Sequence, residues 1–356
     1  MDNTKRIKEL LQILTSAHAP NGYEYESEKI QLCHAELSKY CDKVESNGHG
    51  SVWGVIFGGG ERKSGKKLLI SAHIDETAMM VSEVESEGFI HVVNLGGVDA
   101  KTLSGKQVDI IAESDNYIGV VCVNPPHLAV KDKDKAPSLN DLVIDTGYDA
   151  KSAKDLFKTG DYVCFSTGFT PLLDNKISAK ALDNTASAVA IFDLLHRINK
   201  KTLDCDLYLL LNSGEELNHN GIMTSTYRIQ PDEAIVLDVS HGLFSGLENN
   251  LKHKCGALGN GVMIGIAPIL SKNITAKLIK LAADNRIAYT KEIMTGNTGT
   301  DAAALCCVRS GIPTALLSIP LRYMHTAVET ADIDDIVSVS GLLELYVNEY
   351  GKAGDL

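Results

Sequence analysis

Leu207-Tyr208-Leu209-Leu210-Leu211-Asn212-Ser213-Gly214-Glu215-Glu216 is an apolar run that stops at two adjacent carboxylates. A run of this length reads as a strand buried on both faces, the kind found in parallel sheets. In open α/β sheets ligands bind beyond the carboxyl ends of such strands, so Glu215 and Glu216 stand where a site would form. A Glu-Glu pair by itself is equally an ordinary start of a solvated helix. Other buried runs, however, end on comparable residues. Leu68-Leu69-Ile70 delivers His73-Ile74-Asp75-Glu76, Ala234 to Leu237 ends in Asp238, and the loop after Thr314 to Ile319 reaches His325. Asp183 stands between Lys180-Ala181-Leu182 and a small-residue helix start.

Outward from these runs the chain has two textures. Lys5 to Ser16 places Ile7, Leu10, Leu11 and Leu14 on one helical face, Pro20-Asn21-Gly22 ends it, and Glu24 to Cys41 predicts a second helix. Ser51 to Phe57 predicts a strand. Between Thr77 and Thr170 the runs are short and alternating (Met79 to Val84, Phe89 to Val93, Val108 to Ile111, Tyr117 to Val123, Tyr162 to Phe165), with Gly, Asn, Asp and Pro between them. That is the pattern of a small β-barrel or sandwich, and the charged Lys131 to Lys135 reads as a solvated loop in it. After Pro171 the α/β rhythm resumes, with helices over Ala186 to Ile198, Ile274 to Ile287 and Ala302 to Arg309, and a closing helix capped by Asp332. The expectation is an α/β domain (1–76 and 171–356) with a mixed, largely parallel central sheet flanked by helices. An all-β, barrel-like insertion (77–170) interrupts it, with both entry points beside candidate site residues.

A length of 356 residues and a hydrophobic fraction of 44% provide ample core for a globular protein. The formal net charge of -12 argues against a nucleic-acid surface. The first sixteen residues do not read as a signal peptide, and no apolar stretch is long enough for a bilayer, so a cytoplasmic protein without membrane partners is expected. The eight cysteines are scattered without a Cys-x-x-Cys pair and read as reduced, mostly buried thiols, with Cys306-Cys307 as packing residues of an apolar helix.

The strand-end residues combine two imidazoles with several carboxylates and no thiolate. That donor set suits zinc first, and also cobalt or manganese. Five ligands exceed what one catalytic zinc with an open position takes, but they suit two divalent ions if one carboxylate bridges. One of the two adjacent glutamates then remains as a base. Each member has an ordinary alternative: an Asp after a strand is often a helix cap, and Asp75 could simply orient His73. His241, close to Asp238, is left outside the set.

These motifs resemble the glutamyl/tetrahedral aminopeptidase family of dinuclear metallopeptidases, some of whose members carry cellulase M or endoglucanase labels. The matching stretches are Ala72-His73-Ile74-Asp75-Glu76, Lys180-Ala181-Leu182-Asp183-Asn184, Glu215-Glu216, Leu237-Asp238-Val239-Ser240, Gly299-Thr300-Asp301-Ala302 and Tyr323-Met324-His325-Thr326-Ala327-Val328-Glu329. They run in the family's order over nearly the whole chain. The resemblance implies that Asp183 bridges two metals, with His73 and Asp238 completing one site and Glu216 and His325 the other. It implies Glu215 as general base, Asp75 as support for His73, and the insertion as a dimerisation domain whose dimers assemble into dodecamers. The sequence departs from the family at Thr185, at Leu217-Asn218-His219-Asn220-Gly221 and at Ala78-Met79, which touches substrate preference and assembly rather than ligands.

The function expected is an aminopeptidase acting on peptides. A metal-dependent deacylase or amidase on small acylated amines is its alternative. A glycosidase would use two carboxylates on opposite sides of the scissile bond, about 5 to 9.5 Å apart, without a metal, and a non-catalytic scaffold would have lost a ligand or the base. Lys272 and Arg322 are the candidate cations for recognising an acidic substrate residue.

Overall fold

The computed structural model describes residues 3–60, 64–123, 136–247 and 255–352. The charged stretch Lys131 to Lys135 lies outside them. In chain order the strands are β1 (Lys43–Ser46), β2 (Val52–Ile56), β3 (Lys67–His73), β4 (Ala78–Val84), β5 (Ile90–Leu95), β6 (Gln107–Ile111), β7 (Asn116–Val123), β8 (Leu142–Asp145), β9 (Tyr162–Phe165), β10 (Thr170–Pro171), β11 (Lys176–Ala179), β12 (Asp206–Asn212), β13 (Glu233–His241), β14 (Val262–Ile266), β15 (Tyr289–Ile293), β16 (Thr314–Leu321) and β17 (Glu329–Asp332). The helices are α1 (Asn3–Ser16), α2 (Glu28–Ser38), α3 (Ala150–Leu156), α4 (Leu182–Arg197), α5 (Asn220–Ile229), α6 (Lys272–Asp284), α7 (Asp301–Leu305) and α8 (Ile333–Glu349).

Eight strands form a mixed sheet in the order β1-β2-β12-β3-β13-β16-β14-β15. Its centre, β12-β3-β13-β16, is parallel throughout, and the pairs β2-β12 and β16-β14 turn the flanks antiparallel. The central strands are buried over nearly their whole length, which is why they read as unbroken apolar runs. One face carries Ile7 and Leu11 of α1, Val189 and Phe192 of α4 and Leu343 of α8. The other face packs Trp53 and Leu210 against Ile222 of α5 and Leu305 of α7. Because the four central strands run the same way, their carboxyl ends lie along one edge, and everything attached there is brought together.

Between β3 and β11 the chain leaves the sheet and closes a six-stranded barrel, β4-β5-β8-β7-β6-β9, around a core of its own that includes Met79, Val92, Ile110 and Val163. A buried ionic cluster fastens the barrel to the sheet. Lys180 Nζ donates to Glu76 Oε2 at 2.6 Å, the Ala19 amide donates to Glu76 Oε1 at 2.8 Å, and His18 Nε2 stands 3.0 Å from Asp109 Oδ2 on β6. Burial pushes the Glu76 carboxyl up, but Lys180 and Lys29 outweigh it and hold the group down at about 2. Glu76→Gln leaves Lys180 and Lys29 buried without their anion and is expected to cost about 3–5 kcal/mol of unfolding free energy, measured by denaturant titration. Since the folded value lies below the ordinary 4.5, the wild-type contribution is complete above 4.5 and is lost as pH falls towards 2. A Gln variant as stable as wild type at neutral pH would remove this role.

Local differences from the sequence reading have physical causes. The predicted helix over Glu24 to Cys41 is split: Glu24–Glu26 is a single 3₁₀ turn, and α2 starts afresh where the Ser27 side chain caps the Ile30 amide. The helix expected from Ala302 to Arg309 is the short α7, starting one residue earlier where the Thr300 side chain accepts from the Ala302 amide. Cys306 and Cys307 follow it and are exposed, not packed. All eight cysteines are free thiols, and three of them are buried.

Candidate metal centre

Each strand end delivers its side chain for a local reason. His73 is the last residue of β3 and is paired in register with Asn212, the last residue of β12, so the turn after β12 starts level with it. Within that turn the Glu215 and Glu216 amides donate to Asp75 Oδ1 and Oδ2, at 3.2 and 3.0 Å. Asp75 therefore clamps the backbone that carries both glutamates. Its Oδ1 also lies 3.6 Å from His73 Nδ1. Asp238, read from the sequence as a strand end, lies inside β13, which runs on to His241, and its carboxylate accepts from the Val239 amide at 2.8 Å. Asp183 and Asn184 break the helical backbone at the start of α4, and the peptide between them is cis. Asn184 Nδ2 donates to the Leu237 carbonyl and Ser187 Oγ to that of Asp238, which ties this break to β13.

The result is two clusters that share one residue. The ligand atoms of His73, Asp183 and Asp238 all lie within 4.8 Å of one another, as do those of Asp183, Glu216 and His325. His73 Nε2 is 3.1 Å from Asp183 Oδ1 and 3.7 Å from Asp238 Oδ1. His325 Nε2 is 3.4 Å from Asp183 Oδ2 and 3.3 Å from Glu216 Oε1. Asp183 thus turns one oxygen to each imidazole. Glu215 stands a little further off, with Oε2 at 3.9 Å from His73 Nε2.

Electrostatics show what the cluster lacks. Burial pushes Glu215 up to about 10, with Asp238, Asp301 and Glu216 adding to the effect against His73. Burial likewise pushes Asp238 up to about 7 although His73 opposes it. Burial pulls His325 down, yet Asp183 and Glu216 hold it up at about 11, and His73 is held well above its usual range by Asp183, Asp238 and Asp75. Anions outnumber cations here in a buried space. Asp183 Oδ1 is buried and, apart from the His73 imidazole 3.1 Å away, has no hydrogen-bond partner among the described residues. An oxygen- and imidazole-rich set with an open buried acceptor and surplus negative charge fits divalent cations.

Three further residues shape the centre. Glu329 Oε2 accepts from the Asp183 amide at 2.9 Å and its Oε1 from the His325 amide at 2.7 Å, so one carboxylate holds both halves. Asp301 stands 3.0 Å from His219 Nδ1, which lies 3.7 Å from Glu215 Oε1. In the sequence Asp301 and Glu329 stand out only as members of motifs, and His219 only as part of a stretch that departs from the family pattern. Ala181, His219 and His325 have φ of 52°, 59° and 61°, left-handed backbone that non-glycine residues seldom adopt and that collects at functional sites. The barrel side closes on the centre at Gly97, whose carbonyl lies 3.2 Å from His325 Nδ1. A Cβ at Gly97 would stand 2.7 Å from that nitrogen, so only glycine admits the imidazole.

A cavity of about 280 Å³ opens beside the cluster, and His241, Glu292, Met294 and Leu316 are among its lining residues. Lys272 and Arg322 are not among them. Arg322 donates instead to the Leu243 carbonyl at 2.7 Å, and Lys272 is the first residue of α6. The candidate cations for an acidic substrate residue are therefore placed elsewhere.

The mixed α/β sheet with a barrel inserted beside it is the fold of solved aminopeptidases, a class of hydrolases. Residues 53–342 match the family described as M42 glutamyl aminopeptidase, and the chain belongs to that family. Among relatives, the lysyl aminopeptidase of Pyrococcus furiosus is 27% identical over 345 residues, covering 96% of each chain. The structure of an aminopeptidase from the archaeon Desulfurococcus kamchatkensis is similar at a TM-score of 0.89 and 30% identity, covering 97% of this chain and 95% of that one. The Pyrococcus horikoshii TET1 peptidase, described as assembling into a tetrahedron or a large octahedral shell, shares the fold at a TM-score of 0.82 and 24% identity over 96% and 99% of the two chains. No helix among the described residues is long and apolar enough to cross a membrane.

Proposed function

We propose that this protein is a metal-dependent aminopeptidase that releases N-terminal residues from peptides. The observation that carries the reading is the pair of clusters sharing Asp183. His73 and Asp238 would hold one divalent ion, Glu216 and His325 the other, and Asp183 both, with zinc, or else cobalt or manganese, as the metal. When bound, such a pair polarises the scissile carbonyl and lowers the pKa of water towards about 7. Glu215 takes the proton of the attacking water and delivers it to the leaving amine. Asp75 positions the two glutamates through their amides and steadies His73. The surplus of carboxylates suits a substrate with a free, cationic α-amine. They converge with the imidazoles on one point rather than flanking a gap from two sides, which disfavours glycosidase chemistry.

The function is tested by assaying the protein, loaded with zinc, cobalt or manganese, on aminoacyl amides, their N-acetyl counterparts and cello-oligosaccharides. Hydrolysis confined to the free-amine substrates is expected. Hydrolysis confined to the acylated ones would make it a deacylase.

Residues 77–170 are proposed as a dimerisation unit, and the dimers as building blocks of a larger shell. Ile118 and Val120 support this, since they are exposed and alternate on one outer face of β7. Replacing 77–170 by a short linker is expected to give smaller particles in sedimentation. A folded deletion variant with the wild-type particle size would place the subunit contacts on the sheet domain.

A further inference from the structure

The cavity beside the metal centre has a carboxylate that the chemistry above does not use. Glu292, on edge strand β15, lies opposite Gly265 of β14 in register. Its carboxylate meets hydroxyls from two strands that are not its sheet neighbours, Ser318 of β16 and Ser240 of β13. Ser318 Oγ donates to Glu292 Oε2 at 2.8 Å, and Ser240 Oγ donates to Glu292 Oε1. Ser318 is the register partner of Asp238, and Ser240 is two residues further along the same strand. The carboxylate therefore faces the same cavity as the cluster, displaced sideways across the sheet. Small residues keep this lane open: a Cβ at Gly265 would lie 3.1 Å from Leu316 Cβ and from Met294 Cε.

Two serine hydroxyls occupy two of the roughly four acceptor positions of a carboxylate. Among the described residues no lysine or arginine is hydrogen-bonded to Glu292. Met294 and Leu316 provide apolar lining in the cavity that holds both the cluster and this carboxylate. A channel with apolar walls and an anionic end matches a lysine side chain, whose four-carbon stem lies on apolar surface while its ammonium takes the charge-assisted bond. An acidic side chain would meet a like charge there, and Lys272 and Arg322 do not reach the cavity to offset it.

We propose that Glu292 is the specificity-determining residue of the cavity and selects a lysine-type cationic side chain on the N-terminal residue to be released. The proposal rests on the aminopeptidase reading. It is tested by kcat/KM of the metal-loaded enzyme on lysine, norleucine and glutamate amides, in wild type and in Glu292→Gln. Norleucine keeps the straight four-carbon stem of lysine and lacks only the ammonium. The wild type is expected to favour lysine over norleucine at least about 10-fold, and the lysine-to-norleucine ratio is expected to fall on the order of 10²-fold in Glu292→Gln. A wild type that prefers norleucine or glutamate overturns the proposal and leaves an aminopeptidase of other specificity. A ratio unchanged by Glu292→Gln overturns it as well. Hydrolysis of none of the amides overturns the aminopeptidase reading itself. A measurement independent of any variant is inhibition of the wild type by free L-lysine and by L-norleucine: tighter inhibition by lysine supports the proposal, and equal or weaker inhibition contradicts it.

Discussion

Glu215→Gln is expected to keep its fold and metal content and to lose turnover by about 10²- to 10⁴-fold, the usual worth of a general base. The amide preserves the size of the side chain and removes only the proton acceptor. The turn itself is held by the backbone amides on Asp75, which the substitution leaves intact. Without cations, burial and neighbouring carboxylates push the Glu215 carboxyl up to about 10, where it could not accept a proton at neutral pH. Divalent charge beside it would oppose that bias, so the proposed role of Glu215 as a base would go with a filled centre. Glu216→Gln behaves differently. Its Oε1 faces His325 Nε2 at 3.3 Å, and weakening that pair of donors lowers metal affinity together with activity. Initial rates and metal content measured on both variants separate the roles. Metal lost from Glu215→Gln and kept in Glu216→Gln would exchange the two assignments, and full activity in both would move the site elsewhere.

Asp183→Asn is expected to empty both positions at once. Its two oxygens face His73 and His325 separately, and it is the residue common to the two clusters. The loss of affinity should exceed the roughly 10- to 100-fold that follows removal of a group behind a ligand. Asp238→Asn should weaken mainly the position it shares with His73. Metal analysis after dialysis against a weak chelator distinguishes the two. Near-normal occupancy of both positions in Asp183→Asn would end its bridging role.

The central strands were legible because burial on both faces demands apolar residues at most positions, and β3, β12, β13 and β16 supply them. The barrel was legible from the switch to short alternating runs. The outer strands β1, β14 and β15 were not. β1 is half-polar, β14 contains Gly265, and β15 alternates with exposed Lys291 and Ile293, so these strands owe their state to pairing rather than to local pattern. The candidate ligands stood out because strand ends punctuate an apolar run with a charge. Glu329, Asp301 and Glu292 had no such signal. Glu329 meets Asp183 across 146 residues, and Glu292 reaches Ser240 across 52, contacts that only the folded sheet creates. His219 lies on a loop after the glutamates, where a lone histidine is most often simply solvated.

The proposed chemistry requires two divalent ions held through one shared carboxylate. The most direct measurement strips the wild-type protein with a chelator, then titrates zinc or cobalt back while following bound metal and the hydrolysis of an aminoacyl amide. The expected result is no hydrolysis by the stripped protein, saturation at two ions per chain and recovery of activity as the second position fills. Undiminished hydrolysis by metal-free protein, or full activity with saturation at a single ion, would contradict it.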